Sequence, residues 1–480
     1  MFNGRPPIIA FIVLVGFIIN IVTGAPAFAA EKKSLDIVLL IDKSGSMGQS
    51  DPEALRCEAA KLFVNLCSPE DRISIVEFGT GAKQVFPLSG CQPQTKAEIC
   101  KSIDKIQETS HDKFTHIHRA LEEALKVLKK DSFSSPNRIP VVILLTDGNL
   151  DVKDIGPVES AMASIELMLN EFKANKVRII SIGLGKSFDR ELLNRISNEC
   201  GNGFVYESEN PEFLVSAFRK IFLDISSRFL LSIDMDDSKA NYKYPVTRNE
   251  GDMVLLVAAK EKVKSGQKLI TDKKLSVGPA PIAGDKMSVV EGKLYEIVRV
   301  MNPGAAVIDI AIQLYKKMKF EFIIIKNVSL DISIVSPSAS NEYFQGDRIP
   351  LELKIYRTDG FSMSELKIKA QAMVARPEGL PLEIDLAQNG ETFASSFDAL
   401  QPGSYKVHFM ATLFENGVEF KNIKSLNLEV KEKDGLKLVK LEPSRAVYTR
   451  GSKAAVLVRV LRNGFDVPEG VDEAVVTAKL

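Results

Sequence analysis

The stretch "IDKSGSMGQS", residues 41–50, places three oxygen-bearing side chains two residues apart, at Asp42, Ser44 and Ser46. It follows the apolar run "LDIVLLI", which predicts a buried strand. Loop residues at positions i, i+2 and i+4 can turn three side chains towards one point, and hard cations such as Mg²⁺ prefer oxygen ligands. Ser and Asp are also common in turns, so this pattern alone favours a polar turn at a strand end.

Two further segments each add an oxygen donor. Thr115, in "KFTHIHRALEEAL", stands at the start of an amphipathic helix, where it could be only an N-cap. Asp147, in "VVILLTDGNL", stands at the carboxyl end of another buried run, where Asp-Gly could be only a turn. Ligands of open α/β sheets bind outside the carboxyl ends of the strands. Three loops that present only hard oxygen donors at that edge therefore favour a cation site.

The elements that must position these residues alternate between strand and helix patterns over residues 35–226. Continuous apolar runs, typical of fully buried strands, are "LDIVLLI", "RISIVEF", "IPVVILLT" and "VRIISIGLG". Helical periodicity lies between or after them, at 52–66, 95–107, 116–130, 158–174 and 189–198, and a helix over 210–229 closes the region. The pattern predicts an α/β, doubly wound, mainly parallel sheet with helices on both faces.

With its oxygen donors in this order, the chain resembles the von Willebrand factor type A domain and its metal-ion-dependent adhesion site. That family shows D-x-S-x-S, then a Thr, then an Asp commonly followed by Gly, on a doubly wound α/β fold. The resemblance covers roughly residues 35–226, and the matching positions are Asp42, Ser44, Ser46, Thr115 and Asp147. It implies that the two serines and the threonine contact the cation directly in one state or another. The two aspartates act directly or through water.

The resemblance also implies a cation and a partner. The cation is divalent; Mg²⁺ is the favoured ion, and Mn²⁺ and Ca²⁺ are alternatives. Hydroxyl ligands neutralise less of its charge than carboxylates would, so we expect it to accept an Asp or Glu carboxylate from a partner protein. One departure is "HDKF" just before Thr115, where many relatives have Gly. A stiffer or bulkier loop there leaves the metal geometry open.

Other chemistries are disfavoured. Lys plus Arg equals Asp plus Glu at 62 each, so no overall field draws the chain to nucleic acid. The stretch "SIGLGKSFD" lacks the spacing of a nucleotide-binding loop, and no convincing nucleophile triad is present, so we expect neither a nucleotide ligand nor an enzyme. A zinc site on His111, His116 and His118 is an alternative, but i and i+2 on a helix point to different faces. Loop or helix-surface histidines are favoured.

The rest of the chain predicts a different architecture. Short strand-like runs separated by turns are typical of antiparallel β-sandwich domains. The predicted organisation is a signal peptide at 1–29, the type A-like domain at 31–227, a β-sandwich at 228–328, an immunoglobulin-like sandwich at 329–432, and the start of a further sandwich at 433–480, which is too short to close.

The N-terminus predicts export. An apolar stretch from Ile8 to Val22 precedes Ala27 and Ala29, small residues around a cleavage point. We expect a secreted, periplasmic or cell-surface protein, with envelope association; an uncleaved N-terminal anchor is the alternative. An oxidising compartment permits disulfides. For the five cysteines (Cys57, Cys67, Cys91, Cys100 and Cys200) we expect at most two bridges and one buried thiol, and the pairing stays open.

These observations favour an exported, non-catalytic, cation-dependent adhesion or protein-binding module. Two other classes stay open. One is a structural cell-envelope protein whose cation only stabilises the fold. The other is a non-catalytic accessory subunit of a larger assembly.

Overall fold

In a computed structural model of the chain, the described residues are 34–108, 112–135, 137–199, 203–246, 252–261, 263, 267–277, 280–304, 306–326, 330–338, 341–357, 363–415, 417–433, 436–440, 458–462 and 465–466. The predicted signal peptide, His111, Cys200 and most of the predicted domain at 433–480 lie outside them. Within the described part of the chain, no helix is long and apolar enough to cross a membrane.

The first part of the chain, residues 34–225, alternates strands and helices and is called the α/β domain below. Its elements are β1 (Ser34–Asp42), α1 (Met47–Ser50), α2 (Leu55–Leu66), β2 (Arg72–Phe78), β3 (Ala82–Gly90), α3 (Pro93–Glu108), α4 (Ile117–Asp131), β4 (Arg138–Thr146), α5 (Val158–Ala174), β5 (Arg178–Leu184), α6 (Arg190–Glu199), β6 (Phe204–Ser208) and α7 (Leu214–Ile225).

One six-stranded sheet organises this domain, in the order β3-β2-β1-β4-β5-β6. Every neighbouring pair is parallel except β2–β3. The predicted doubly wound, mainly parallel sheet is therefore confirmed. The edge strand β3 was not predicted, because its residues are half-buried or exposed and form no continuous apolar run.

The central strands are buried on both faces because helices cover both. On β1, Ile37, Leu39 and Ile41 share a core with α2 and α7. The alternate residues Val38 and Leu40 share a second core with α4 and α5. This two-sided burial is the reason that β1 is an unbroken apolar run, and it makes the strand a rigid support for the loop that follows Asp42.

The second part of the chain, residues 229–431, is called the antiparallel region below. Its described residues form strands and two 3₁₀ turns, Gly284–Lys286 and Met363–Glu365, but no α-helix. Its strands are β7 (Phe229–Val246), β8 (Met253–Ala259), β9 (Ile270–Val277), β10 (Ala280–Pro281), β11 (Met287–Glu291), β12 (Tyr295–Val300), β13 (Ala306–Lys326), β14 (Leu330–Ser336), β15 (Tyr343–Phe344), β16 (Arg348–Arg357), β17 (Lys367–Ala375), β18 (Leu382–Asn389), β19 (Thr392–Asp398), β20 (Gly403–Glu415) and β21 (Val418–Lys431). Beyond it, β22 (Leu436–Lys440), β23 (Val458–Arg462) and β24 (Phe465–Asp466) pair with one another.

Hydrogen-bonded pairs connect the antiparallel region in the order β11-β12-β8-β13-β7-β21-β20-β17-β18-β19-β16-β14, with β9, β10 and β15 attached at its sides. Among the described strands of this region, the short β15–β21 pair is the only parallel one. A single pair, Leu230 with Lys421, joins β7 to β21. The predicted domain boundaries at 228, 329 and 433, and the immunoglobulin-like assignment, stay predictions.

The two parts of the chain share a hydrophobic core. All seven residues of β8 are buried, and they alternate between two sides. Leu255 and Val257 face the core of the antiparallel region, whereas Val254 and Leu256 join the core that contains α2 and α7 of the α/β domain. The sheet of residues 253–326 therefore packs one face directly on the helices of the α/β domain.

The helix predicted over 210–229 is shorter than expected. A 3₁₀ turn at Pro211–Phe213 precedes α7, which ends at Ile225, and β7 begins at Phe229. Side chains from β21 bind the backbone where the helix ends. Asn422 donates its amide to the carbonyl of Arg228 at 2.6 Å, and Lys424 donates to the carbonyl of Ser226 at 2.6 Å. The helix end is thus set by contacts about 200 residues away in the chain.

Candidate metal centre

The candidate site lies where two central parallel strands end side by side. Asp42 is the last residue of β1, and Asp147 directly follows β4. The register pairs Ile41 with Leu145, so the residues that leave the two strands start out as neighbours. This is the carboxyl edge of the sheet, where the sequence predicts the site.

Asp42 is fully buried, and both of its carboxylate oxygens accept hydrogen bonds. The backbone N–H of Ser44 donates to Oδ1 at 2.7 Å, and the Thr146 hydroxyl donates to Oδ2 at 2.5 Å. Burial raises the pKa of Asp42 to about 6; these hydrogen bonds oppose the rise, and the nearby charge of Asp147 adds to it. Asp42 therefore holds the start of the loop in place.

The two serines and Asp147 form a hydrogen-bonded cluster. The hydroxyl oxygens of Ser44 and Ser46 are 3.1 Å apart, and Ser46 donates to Oδ1 of Asp147 at 2.7 Å. Ser50, at the end of the short helix α1, donates its hydroxyl to the other carboxylate oxygen of Asp147. The D-x-S-x-S loop and the loop after β4 are thus joined through side-chain oxygens.

Thr115 reaches the same cluster from a third loop. Its backbone pairs with that of Asp151, with N–H···O distances of 3.2 and 3.1 Å. A β-carbon on Gly148 would lie 3.5 Å from the Thr115 hydroxyl oxygen and 3.6 Å from that of Ser46. The two hydroxyls therefore flank Gly148, and the absence of a side chain there leaves the space between them open.

The residues before Thr115 pack against the D-x-S-x-S loop rather than standing away from it. The N–H of Asp112 donates to the carbonyl of Lys43 at 3.0 Å, and Oδ2 of Asp112 accepts the N–H of Thr80 at 3.1 Å. Gly79 allows this approach, because a β-carbon there would lie 2.5 Å from that of Asp112. Asp112, within the bulky sequence before Thr115, is thus accommodated by a glycine in the neighbouring loop.

The donor set fits a hard divalent cation. Five predicted residues, two carboxylates and three hydroxyls, are brought to one place, and all of these donors are oxygen. Asp42 and Asp147 are 0% and 4% exposed, and within the described part of the chain neither forms an ion pair. Two buried negative charges close together are costly without a cation, so the cluster is electrostatically suited to one.

The histidine expectation needs correction. His116 and His118 are buried, at 2% and 6% exposure, rather than on a loop or helix surface. His116 bonds Asp154 through Nε2 at 2.8 Å, and burial, followed by the charge of His116, lowers the pKa of His118 to about 4. The described residues contain no group of three His, Cys, Asp or Glu side chains that could hold a metal.

Two residues of the cluster were missed by sequence reasoning. Thr146 orients Asp42 through a hydrogen bond. In the sequence, Thr146 could have been recognised by its position at the end of a buried run, next to Asp147. Ser50 contacts Asp147, and its signal was its spacing of four from Ser46, which places the two on one side of a helical turn.

A comparison with models of known protein families identifies the same part of the chain. Residues 36–220 match the model of the von Willebrand factor type A domain. This segment is a von Willebrand factor type A domain. The matched residues span β1 to α7 and include all five predicted site residues.

Known proteins that are similar in sequence resemble less than half of this chain. Inter-alpha-trypsin inhibitor heavy chain H2 of Sus scrofa is 24% identical over 248 residues, which are 49% of this chain and 25% of that protein. A von Willebrand factor A domain-containing protein of Dictyostelium discoideum is 30% identical over 184 residues, 37% of this chain and 18% of that protein. The chain therefore spans a quarter or less of the length of these relatives.

Solved structures show weaker overall similarity. A von Willebrand factor type A protein from Catenulispora acidiphila has 17% identity and a TM-score of 0.35, covering 75% of this chain and 66% of that one. Proximal thread matrix protein 1 from the mussel byssus, with a zinc-occupied MIDAS motif, has 22% identity and a TM-score of 0.32. The match covers 43% of this chain and 50% of that chain.

Proposed function

We propose that the type A domain binds one divalent cation and, through it, an Asp or Glu carboxylate of a partner protein. The observation that carries this proposal is the meeting of Asp42 and Asp147 with three hydroxyls at the carboxyl edge of the sheet. Ser44, Ser46 and Thr115 would hold the cation, with Asp147 beside it. Asp42 acts mainly by orienting the loop, since both of its oxygens are already hydrogen-bonded.

The chemistry of the donors favours the binding of a partner's carboxylate over catalysis. When bound, the cation supplies an electrophilic site that a carboxylate oxygen can occupy. The hydroxyls of Ser44, Ser46 and Thr115 carry no formal charge, so they leave much of the cation's charge for an anionic partner. Mg²⁺ is the proposed cation, with Mn²⁺ and Ca²⁺ as alternatives. The chain is proposed to be non-enzymatic, and a panel of phosphatase, protease and ATPase assays tests this.

Calorimetric titration with Mg²⁺ and Mn²⁺ tests the cation site. We expect one site per chain. Asp42→Asn should weaken cation affinity about 10–100-fold, because it removes a group that orients the ligands. Asp147→Ala should weaken it at least as much. Asp154→Asn is the matched control, because this acid bonds His116 instead of the cluster. Equal affinity in Asp147→Ala and the unaltered chain would contradict the site.

Partner binding is tested separately by affinity capture from envelope and extracellular material. Capture should occur in Mg²⁺ and be lost in chelator and with Asp147→Ala. The captured protein should then lose binding when its contacting Asp or Glu is replaced by Asn or Gln. Undiminished capture in chelator, together with normal calorimetric cation binding, would leave the alternative in which the cation only stabilises the fold.

Export and surface location belong to the same proposal. A protein-binding module that acts outside the cell would be secreted, periplasmic or attached to the envelope. The alternative function is that of a non-catalytic accessory subunit in a larger assembly. Fractionation of the native host, followed by N-terminal sequencing of the mature chain, tests this. A chain found in the cytoplasm with residues 1–29 intact would contradict it.

A further inference from the structure

Two cysteines of the type A domain lie together in its core. Cys67 directly follows α2, and Cys91 directly follows β3. Both are 0% exposed and belong to the core that the type A domain shares with the antiparallel region. Both are free thiols in the structure, and they are close enough to influence each other's ionisation.

The backbone fixes the two residues relative to each other. The N–H of Cys91 donates to the carbonyl of Asp71 at 2.9 Å, which extends the β2–β3 pairing by one residue. Asp71 in turn accepts the N–H of Ser68 at 2.8 Å through Oδ2. Lys96, in α3, donates to the carbonyl of Cys67 at 2.6 Å. Cys67 and Cys91 are thus held by the same short turn and the helix that follows β3.

We propose that Cys67 and Cys91 form a disulfide in the exported protein. The inference is carried by the shared backbone framework, in which Asp71 binds both Cys91 and the neighbour of Cys67, and by the burial of both cysteines in one core. It is independent of the metal site. It assigns a pairing that the sequence leaves open. Cys100 provides a contrast, because it is half-buried and its sulfur accepts a hydrogen bond from Asn65 at 3.7 Å.

The bond forms by a balanced oxidation. Each thiol loses its proton and the pair loses two electrons as the S–S bond forms, and the electrons reduce the disulfide of a thiol–disulfide oxidoreductase in the exporting compartment. One cysteine thiolate first attacks that disulfide, and the second displaces the oxidoreductase from the mixed disulfide. Because both sulfurs are inaccessible in the folded chain, the exchange takes place while the domain is folding.

The bridge would strengthen the junction between the type A domain and the antiparallel region. Arg228 donates to the hydroxyl of Ser68 at 2.6 Å, next to Cys67. Arg299, from β12, donates to the carbonyl of Asn65 at 3.3 Å. A covalent link at Cys67 therefore fixes the end of α2, which is contacted both by Arg228, just before β7, and by Arg299 of β12.

Peptide mapping of the exported chain tests the pairing directly. Free thiols are blocked with N-ethylmaleimide during lysis, and the chain is digested without reductant and analysed by mass spectrometry. We expect a peptide that joins Cys67 to Cys91, and Cys100 in the alkylated form. Alkylated Cys67 and Cys91, or a peptide that joins either of them to another cysteine, would overturn the proposal.

Thermal unfolding adds a second readout. Because both sulfurs are buried, the chain is first unfolded in urea with reductant and then refolded in reductant. This treatment should lower the Tm of the unaltered chain by several degrees, because the closed loop no longer restricts the unfolded state. The Cys67→Ala/Cys91→Ala chain should unfold at the same Tm with and without reductant, whereas Cys100→Ser should respond like the unaltered chain. An unaltered chain that is insensitive to reductant would count against the bridge, and peptide mapping decides the matter if the double variant does not fold.

Discussion

At the scale of single residues, the type A domain places charge where burial makes it costly. Asp42 has no exposed surface, and the nearby carboxylate of Asp147 carries a charge of the same sign. Hydrogen bonds from Ser44 and Thr146 offset part of this cost. The raised pKa of Asp42 reflects the electrostatic cost that these hydrogen bonds do not offset, and a bound cation would offset that cost.

A pH prediction follows from the sign of that shift. The pKa of Asp42 is about 6 in the folded chain against an ordinary value of 3.8, so the folded state holds the proton more tightly. The free energy of unfolding of the cation-free chain should therefore fall by at most about 3 kcal/mol as the pH rises from about 4 to about 6. Urea unfolding at a series of pH values measures this.

Mg²⁺ and Asp42→Asn provide the matching controls. Mg²⁺ should raise the free energy of unfolding more at pH 7.5 than at pH 4.5, because the cation favours the ionised carboxylate. Asp42→Asn should flatten the cation-free pH profile between 4 and 6. A profile that is unchanged by this substitution would show that Asp42 is not the titrating group.

At the scale of elements, two of the three loops converge because they leave the neighbouring strands β1 and β4. The third loop, which precedes α4, packs close to them because a glycine leaves room for it. Asp112 pairs with Ser44 of the D-x-S-x-S loop, Thr115 pairs with Asp151 in the loop after β4, and Gly79 provides the space for Asp112. The site thus depends on a residue that carries no donor group. Its sequence signal, a glycine after β2, is common to many turns.

Gly79→Ala should displace this loop. The new β-carbon would lie 2.5 Å from that of Asp112, so Asp112 and the neighbouring Thr115 must move. We expect Mn²⁺ affinity about 10-fold weaker and a loss of about 1–3 kcal/mol of unfolding free energy. Calorimetry and urea unfolding measure the two effects.

Gly81→Ala is the matched control, because a β-carbon at Gly81 would have no neighbour within 4 Å. It should leave cation affinity unchanged and stability within about 0.5 kcal/mol. Equal behaviour of the two alanine variants would contradict the proposed packing role of Gly79.

At the scale of the whole molecule, the type A domain and the antiparallel region are joined by buried polar contacts as well as by a shared core. Asp224, at the end of α7, has no exposed surface. Its Oδ2 accepts a hydrogen bond from Arg178 at 2.7 Å, and its Oδ1 accepts the N–H of Ser425 in β21 at 2.7 Å. This carboxylate therefore links β5, α7 and β21.

Asp224→Ala should destabilise the chain by about 3–5 kcal/mol, because it removes the buried acid that receives both a guanidinium and a backbone N–H. Glu207→Ala is the control, since Glu207 pairs with Arg190 at an exposed position and should cost no more than about 1 kcal/mol. Urea unfolding of both variants compares them. Similar losses for the two would show that Asp224 does not anchor the interface.

The sequence alone determined the local elements and the order of the site residues. Buried strands such as β1 and β4 are continuous apolar runs, and the carboxyl ends of parallel strands must meet at one edge, so these patterns suffice to place Asp42 and Asp147 together. Ser44, Ser46 and Thr115 followed from spacing and resemblance. Cation binding by these residues stays a prediction.

Tertiary structure decided what no local pattern encodes. Residues 306–326 form one long strand, β13, with an irregularity between Gln313 and Met318, because the partner strand β7 runs alongside both halves. The end of α7 is set by Asn422 and Lys424, and the neighbours of Cys67 are set by the β2–β3 pairing. Such contacts join residues far apart in the chain, so their energies depend on a fold that a local window of sequence does not contain.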